Sequence, residues 1–210
     1  MFLILNIFKS KKESKKELTN PRPKQNQEQI ANRKGELGEY KIDIQLDQLP
    51  KEYYYLSDLL IKNPKAKSGY SQVDHVIITP YGLFVIETKN YQGTIYGGKD
   101  RKTWSVNGKF KMMNPFNQNY GHMKALAALI DIKYQNSFIS IVSFTKRCTF
   151  KVESELRQIS SNQLIVYDIE LSEYIHRKVR TLKKETQQFL SKEDQENIKA
   201  AFQQANITDP

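Results

Sequence analysis

Asp74, Glu87 and Lys89 stand within residues 72–90, QVDHVIITPYGLFVIETKN, where two runs rich in Val, Ile, Leu and Phe are joined by Thr79-Pro80-Tyr81-Gly82. Two carboxylates and an ammonium can bind a cation or offset charge on a reacting group, provided the chain brings them together. If Thr79 and Gly82 flank a two-residue turn, with Pro80 where its fixed φ is favoured, Asp74 falls opposite Glu87 and Gln72 opposite Lys89. Directly opposite side chains have Cβ atoms roughly 5 Å apart, and like charges there repel. Lys89 follows Glu87 by two residues and shares its face. The three groups therefore meet at one end of a β-ribbon, above a floor of Val76, Val85, Ile78 and Leu83. Carboxylates over such a floor pay desolvation and mutual repulsion unless a cation lies between them or one takes up a proton. A divalent ion removes both penalties, and Mg²⁺ (or Mn²⁺) suits a site of one or two carboxylates completed by water or phosphate. Taken singly, each motif has a plain structural reading: E-x-K on a strand is often a surface ion pair, and an aspartate can end a strand. The chemical reading needs the acid, the turn, the E-x-K and the apolar floor to coincide, and here they do.

The ribbon is apolar on both faces. Alternation predicts Val76, Ile78, Leu83 and Val85 on one side and Val73, Ile77, Phe84 and Ile86 on the other, so the sheet should be covered twice. A first helix is expected from about residue 27 to 49, ended by Pro50, with Ile30, Leu37, Tyr40 and Ile44 as its apolar face. Gly35 and Gly38 weaken that helix but would let another backbone come close. YYYLSDLLI reads as a strand before the ribbon. After it, GTIYGG and KTWSVNGKF read as short strands, the latter folded at Asn107-Gly108, a pair suited to a type I′ turn. Asn114-Pro115 has the form of an N-cap followed by proline at the first helical position, opening a helix expected to run to Gln135-Asn136. SFISIVSF, CTFKVE and LIVYD are further strands, and two amphipathic helices close the chain, the second starting at Ser191 with acids in its first turn. No internal repeat is visible.

Composition narrows the function classes. The 210 residues carry a net charge of +10, 39% hydrophobic residues and a mean hydropathy of −0.65, which describes a globular chain with a charged surface. A basic excess suits a polyanionic partner. Cys148 is the lone cysteine, which excludes an internal disulfide, a CxxC redox pair and a multi-thiolate zinc site, and it points to a reducing, cytoplasmic home. Neither GxxxxGK[ST] nor GxGxxG occurs. Residues 1–26 form a basic tail: eight residues at the start that are apolar but for Asn6, then KSKKESKK and a Pro/Gln/Asn-rich linker. So short an apolar run cannot span a bilayer. Two readings stand for residues 1–20, a peripheral anchor on an anionic membrane at its inner face, or a tail with no such role.

GELGEY, the 72–90 ribbon with YQGTIYGG after it, and NPFNQNYGH before a helix resemble the nuclease-related domain (NERD), a branch of the PD-(D/E)xK restriction-endonuclease-like superfamily. The resemblance covers residues 33–130, within a domain read as 27–168, with C-terminal helices over 169–210. It implies an α/β fold, a restriction-endonuclease-like α/β/α core with a mixed central sheet flanked by helices, and a metal-dependent phosphodiesterase acting on nucleic acid, DNA before RNA. By position, Asp74, Glu87 and the first-helix acid Glu39 would be metal ligands, Lys89 the basic partner, and Gln118 the polar residue opening the later helix. The proline of the superfamily's PD is replaced here by Val73. His122 lies one turn beyond Gln118 and borders the site at most, while His75 falls on the far face as a core or hydrogen-bonded histidine. GGKDRK, Lys109 and Lys111 supply cations for phosphates. HRKVRTLKK reads rather as the solvated face of a helix whose Ile175, Val179, Leu182 and Phe189 turn inward. A non-catalytic module of the same fold, binding nucleic acid or a protein, is the competing class.

Overall fold

The computed structural model describes residues 24–185 and 190–207. The apolar and basic segments of the tail, Pro21, Pro23, Phe189 and the side chain of Ile30 lie outside the described residues. In chain order the elements are α1 (Lys24–Leu46), β1 (Tyr54–Lys62), β2 (Tyr70–Thr79), β3 (Gly82–Lys89), β4 (Gly93–Tyr96), β5 (Thr103–Val106), β6 (Phe110–Met113), α2 (Pro115–Ala127), β7 (Phe138–Phe144), β8 (Cys148–Lys151), β9 (Gln163–Tyr167), α3 (Leu171–Glu185) and α4 (Lys192–Ala205). The main sheet has the order β1-β2-β3-β7-β9, antiparallel across the first three strands and parallel from β3 onward. A second sheet, β6-β5-β4-β8, stands beside it. The fold is mixed α/β with mixed sheets flanked by helices. Among the described residues no helix is long and apolar enough to cross a membrane.

Helices cover both faces of the main sheet. On one, Val76, Ile78, Leu83 and Val85 pack with Leu126 of α2 and Ile198 and Phe202 of α4; on the other, Ile77, Phe84 and Ile86 meet Ile42 and Leu46 of α1 and Ile175 of α3. A third core lies under the second sheet, where Ile95, Trp104 and Phe116 close over Val142 and Phe144 of β7. Local sequence accounts for several boundaries. Asn107 and Gly108 both take positive φ, 53° and 68°, as a type I′ turn requires. The Asn114 side chain accepts the Phe116 N–H at the start of α2, and Ser191 and Asp194 form a reciprocal capping box on α4.

Four expectations are corrected. First, α1 turns a different stripe inward: Ile42 and Leu46, with Leu49 just beyond, are buried, whereas Leu37, Tyr40 and Ile44 are 53%, 62% and 46% exposed. The helix docks with Gly38 against the end of β3, where an added Cβ would stand 3.4 Å from atoms of Thr88 and Asn90, so only a small residue fits at this close approach. Second, α2 stops at Ala127 instead of near Gln135. The Leu129 N–H turns back to the Leu126 carbonyl (3.0 Å) and Leu129 and Ile130 tuck against the core, while Asp131 caps a separate 3₁₀ turn by accepting the Lys133 N–H (2.9 Å). Third, Val73 packs with Val76 and Ile78 rather than with Ile77 and Phe84. The β1–β2 ladder passes from Ser57–His75 to Leu59–Val73 without pairing Asp58 to Asp74, and Asp58 takes φ 51°, so the alternation breaks in both strands where two acids would have faced each other. Fourth, Lys178 of the HRKVRTLKK run is buried, its Nζ donating to the Ser160 carbonyl (3.1 Å). It therefore offers no charge to a ligand.

Candidate metal centre at the fork of the β2–β3 hairpin

From Thr79 with Gly82 to His75 with Ile86 the hairpin pairs in the expected register, but the expected pairs Asp74–Glu87 and Gln72–Lys89 do not form. One step further the strands part, and Asp74 lies at the fork. Its Oδ2 accepts the Thr88 N–H (2.7 Å), so a carboxylate takes the place of the next backbone acceptor along β3. The sequence puts the acid there because the alternation of both β1 and β2 fails at that position.

Glu87 points into the layer occupied by α2 and is only 2% exposed. Its Oε1 accepts from Lys89 Nζ (2.5 Å) and from Gln118 Nε2 (2.7 Å), and Lys89 Nζ also donates to Gln118 Oε1 (3.0 Å), which closes a triangle of three side chains. His122 Nε2 lies 3.3 Å from Glu87 Oε2, within ion-pair range but outside hydrogen-bond geometry, and Oε2 is buried with no hydrogen-bond partner. The register of α2 is set by its Asn114 cap and by Asn119, whose Nδ2 donates to the Val85 carbonyl and to Ser140 Oγ, each at 2.8 Å. Gln118 and His122, one turn apart on this fastened helix, therefore meet Glu87 together.

The two carboxylates differ in proton affinity. Burial would raise the pKa of Glu87, but His122 and Lys89 outweigh it and hold the group below the usual carboxylate range, so it is ionised at neutral pH. Asp74 is pushed up to about 7, first by burial and then by the charge of Glu87, with the Thr88 N–H pulling only partly the other way. Glu39 on α1 is raised by burial and by Asp58, Asp43, Glu87 and Glu36, and its own charge acts on Asp74. The structure thus brings Glu87, Lys89 and Gln118 into contact, and places Asp74, held by the Thr88 N–H, and Glu39 within their electrostatic field. Among the described residues no three His, Cys, Asp or Glu side chains form a ready cage for an ion. The donor set at the fork is therefore the Asp74 and Glu87 carboxylates, which fits a hard cation that keeps water or phosphate oxygens for its remaining positions.

His122 has a larger place than its sequence position suggested, and Asn119 was not singled out at all. The signal for the histidine was its i+4 spacing from Gln118; for Asn119, a buried amide reaching a β-strand carbonyl, no local signal exists. His75 is buried on the α1 side, its Nδ1 3.1 Å from Ser57 Oγ, and burial pushes its pKa down to about 4, so it is a neutral structural imidazole. Cys148 is buried in β8 and its thiol is pushed up to about 12 by burial, which makes it unreactive.

The sequence is 38% identical over 122 residues to an uncharacterized protein of Bacillus anthracis, an alignment that covers 56% of this chain and 56% of that protein. The chain thus spans little more than half the length of this relative. No solved structure matches the chain. The family model of the nuclease-related domain matches residues 34–145, a span that contains Glu39, Asp74, Glu87, Lys89, Gln118 and His122. Since that match covers more than half of the chain and every side chain of the fork, the protein belongs to the nuclease-related domain (NERD) family.

Proposed function

We propose that the chain is a Mg²⁺- or Mn²⁺-dependent nuclease hydrolysing phosphodiester bonds, in DNA before RNA, with the hairpin fork as its centre. The observation that carries this reading is the buried Glu87 Oε2, which accepts no hydrogen bond, near a second carboxylate, Asp74, whose proton affinity is raised by burial and by Glu87's charge. Such a pair costs stability without a ligand and has a use with a cation.

Asp74 and Glu87 would hold the ion, with Glu39 as an outer acid that orients a water. Once bound, the ion would polarise a phosphate oxygen and lower the pKa of a coordinated water. The protein's own groups do the rest. Thr88 N–H holds the Asp74 carboxylate in place, and because burial and Glu87 raise the Asp74 pKa to about 7, a cation held there would displace a proton from Asp74 near neutral pH. Gln118 donates to Glu87 and accepts from Lys89, keeping acid and ammonium in register. Lys89 orients the attacking water and offsets negative charge growing on the phosphate in the transition state. His122 maintains the ionised form of Glu87.

The test is cleavage of linear, circular and single-stranded DNA with Mg²⁺, Mn²⁺ or EDTA, alongside the Mg²⁺-induced shift in melting temperature. Both are repeated for Asp74→Asn, Glu87→Gln and Lys89→Ala, with circular dichroism as the control for folding. Metal-requiring cleavage lost in all three variants supports the enzyme. DNA binding without cleavage, indifferent to metal and to Glu87→Gln, would identify a binding module instead.

A further inference from the structure

The second sheet carries an aromatic residue in an unusual position. Phe110 pairs with the buried Val106 in the β5–β6 ladder, in the row where Trp104 faces Met112, so the register assigns it to the core side; yet it lies at the tip beyond the core and is 57% exposed. Behind it stands Tyr91, ring centroids 5.7 Å apart, and Tyr91 in turn lies 6.5 Å from Phe144. Phe144 is the β7 partner of Lys89, and Tyr91 follows Lys89 by two residues. A continuous run of rings therefore leads from the fork to an exposed phenyl face.

The hairpin that carries this ring is basic. Residues 93–113 hold five Lys/Arg against one acid. Lys99 pairs with Glu155 (3.3 Å), but among the described residues Arg101, Lys102, Lys109 and Lys111 are exposed and have no acidic partner. Lys109 and Lys111 adjoin Phe110 in sequence, and strand alternation turns Lys111 to the opposite face of the hairpin, in the row of Ser105. An apolar ring in water costs free energy, and unpaired lysines on the same short hairpin disfavour a protein core or a lipid tail as its cover. A nucleobase attached to a phosphate satisfies both groups at once.

We propose that Phe110, backed by Tyr91 and carried on this basic hairpin, is a stacking platform for an unpaired base whose neighbouring phosphates meet Lys109 and Lys111, so that the strand approaching the fork is single-stranded rather than duplex. This deepens the nuclease reading and rests on it for the role of the site, but its test needs no catalysis. In EDTA, fluorescence anisotropy is used to compare a labelled oligothymidylate with a blunt duplex of equal length, for the wild type, Phe110→Ala, Phe110→Trp and Lys109→Gln/Lys111→Gln. Phe110 is exposed, so its variants should keep the fold. Expected are preference of the wild type for the single strand, a loss of roughly tenfold on Phe110→Ala confined to that strand, and recovery on Phe110→Trp. The double lysine variant should weaken both probes and flatten the salt dependence. Single-strand affinity unchanged in Phe110→Ala, an equal loss on both probes, or no binding by the wild type would each overturn the platform. Wild-type binding with these responses but no cleavage in Mg²⁺ would remove the nuclease reading and leave the platform standing; cleavage indifferent to Phe110 would do the reverse.

Discussion

Replacing Asp74 by asparagine should stabilise the fold while it ends cleavage. The folded chain releases the Asp74 proton near pH 7, whereas the ordinary value is 3.8. Between those values the folded state binds the extra proton and the unfolded state does not, so this group's contribution to stability falls as pH rises and is fully unfavourable above about 7. At about 1.36 kcal/mol for each tenfold change in proton affinity, the ceiling on that penalty is about 4 kcal/mol. Asparagine has no proton to lose over this range, and its Oδ1 can still accept the Thr88 N–H. Urea unfolding in EDTA should therefore show wild type and Asp74→Asn nearly equal at the acidic end, around pH 4. The variant should draw ahead through pH 5 and 6 and lead by up to about 4 kcal/mol at pH 8. Saturating Mg²⁺ should close the gap by stabilising the wild type alone, by mass action. A variant less stable than wild type at pH 8, or a gap of one size at every pH, would refute the electrostatic account of the fork.

Glu87 has the opposite sign. Its pKa is held low by its partners, so its charge favours the fold at neutral pH and that contribution is lost on acidification; Glu87→Gln should cost about 2 kcal/mol by chemical denaturation at pH 7, because Lys89 and His122 lose their anion. Gly38→Ala should be tolerated and raise stability by about 1 kcal/mol through helix propensity. Gly38→Leu should push α1 off β3, lower the melting temperature and reduce cleavage through displacement of Glu39. Trp104→Ala, in the core under the second sheet, should cost about 3–5 kcal/mol in urea unfolding. The basic tail is tested by sedimentation with anionic vesicles, where full-length chain should pellet and chain lacking residues 1–20 should not; a full-length chain left in the supernatant would end the anchor idea.

What the sequence determined on its own was whatever depends on neighbours along the chain. The Pro80-containing turn and two apolar runs set the hairpin register, Asn114-Pro115 started α2, Asn107-Gly108 turned β5 into β6, and Ser191 opened α4. The motif order pointed to the family, and through that resemblance to Asp74, Glu87, Lys89 and Gln118 as candidates for its site. Tertiary structure decided the rest. Either stripe of α1 is apolar enough to face a sheet, and the choice between them is made by how the helix docks, with Gly38 close to Thr88 and Asn90. Alternation fails at Asp58 and Asp74 because the two strands meet there, which neither strand reveals alone. His122 reaches Glu87, and Phe110 overhangs a core that ends short of it, through packing between segments distant in sequence. A side chain's type and spacing state what chemistry it could do; which charges share a low-dielectric space, and so which way their pKa values move, depends on the long-range contacts that exclude water around them.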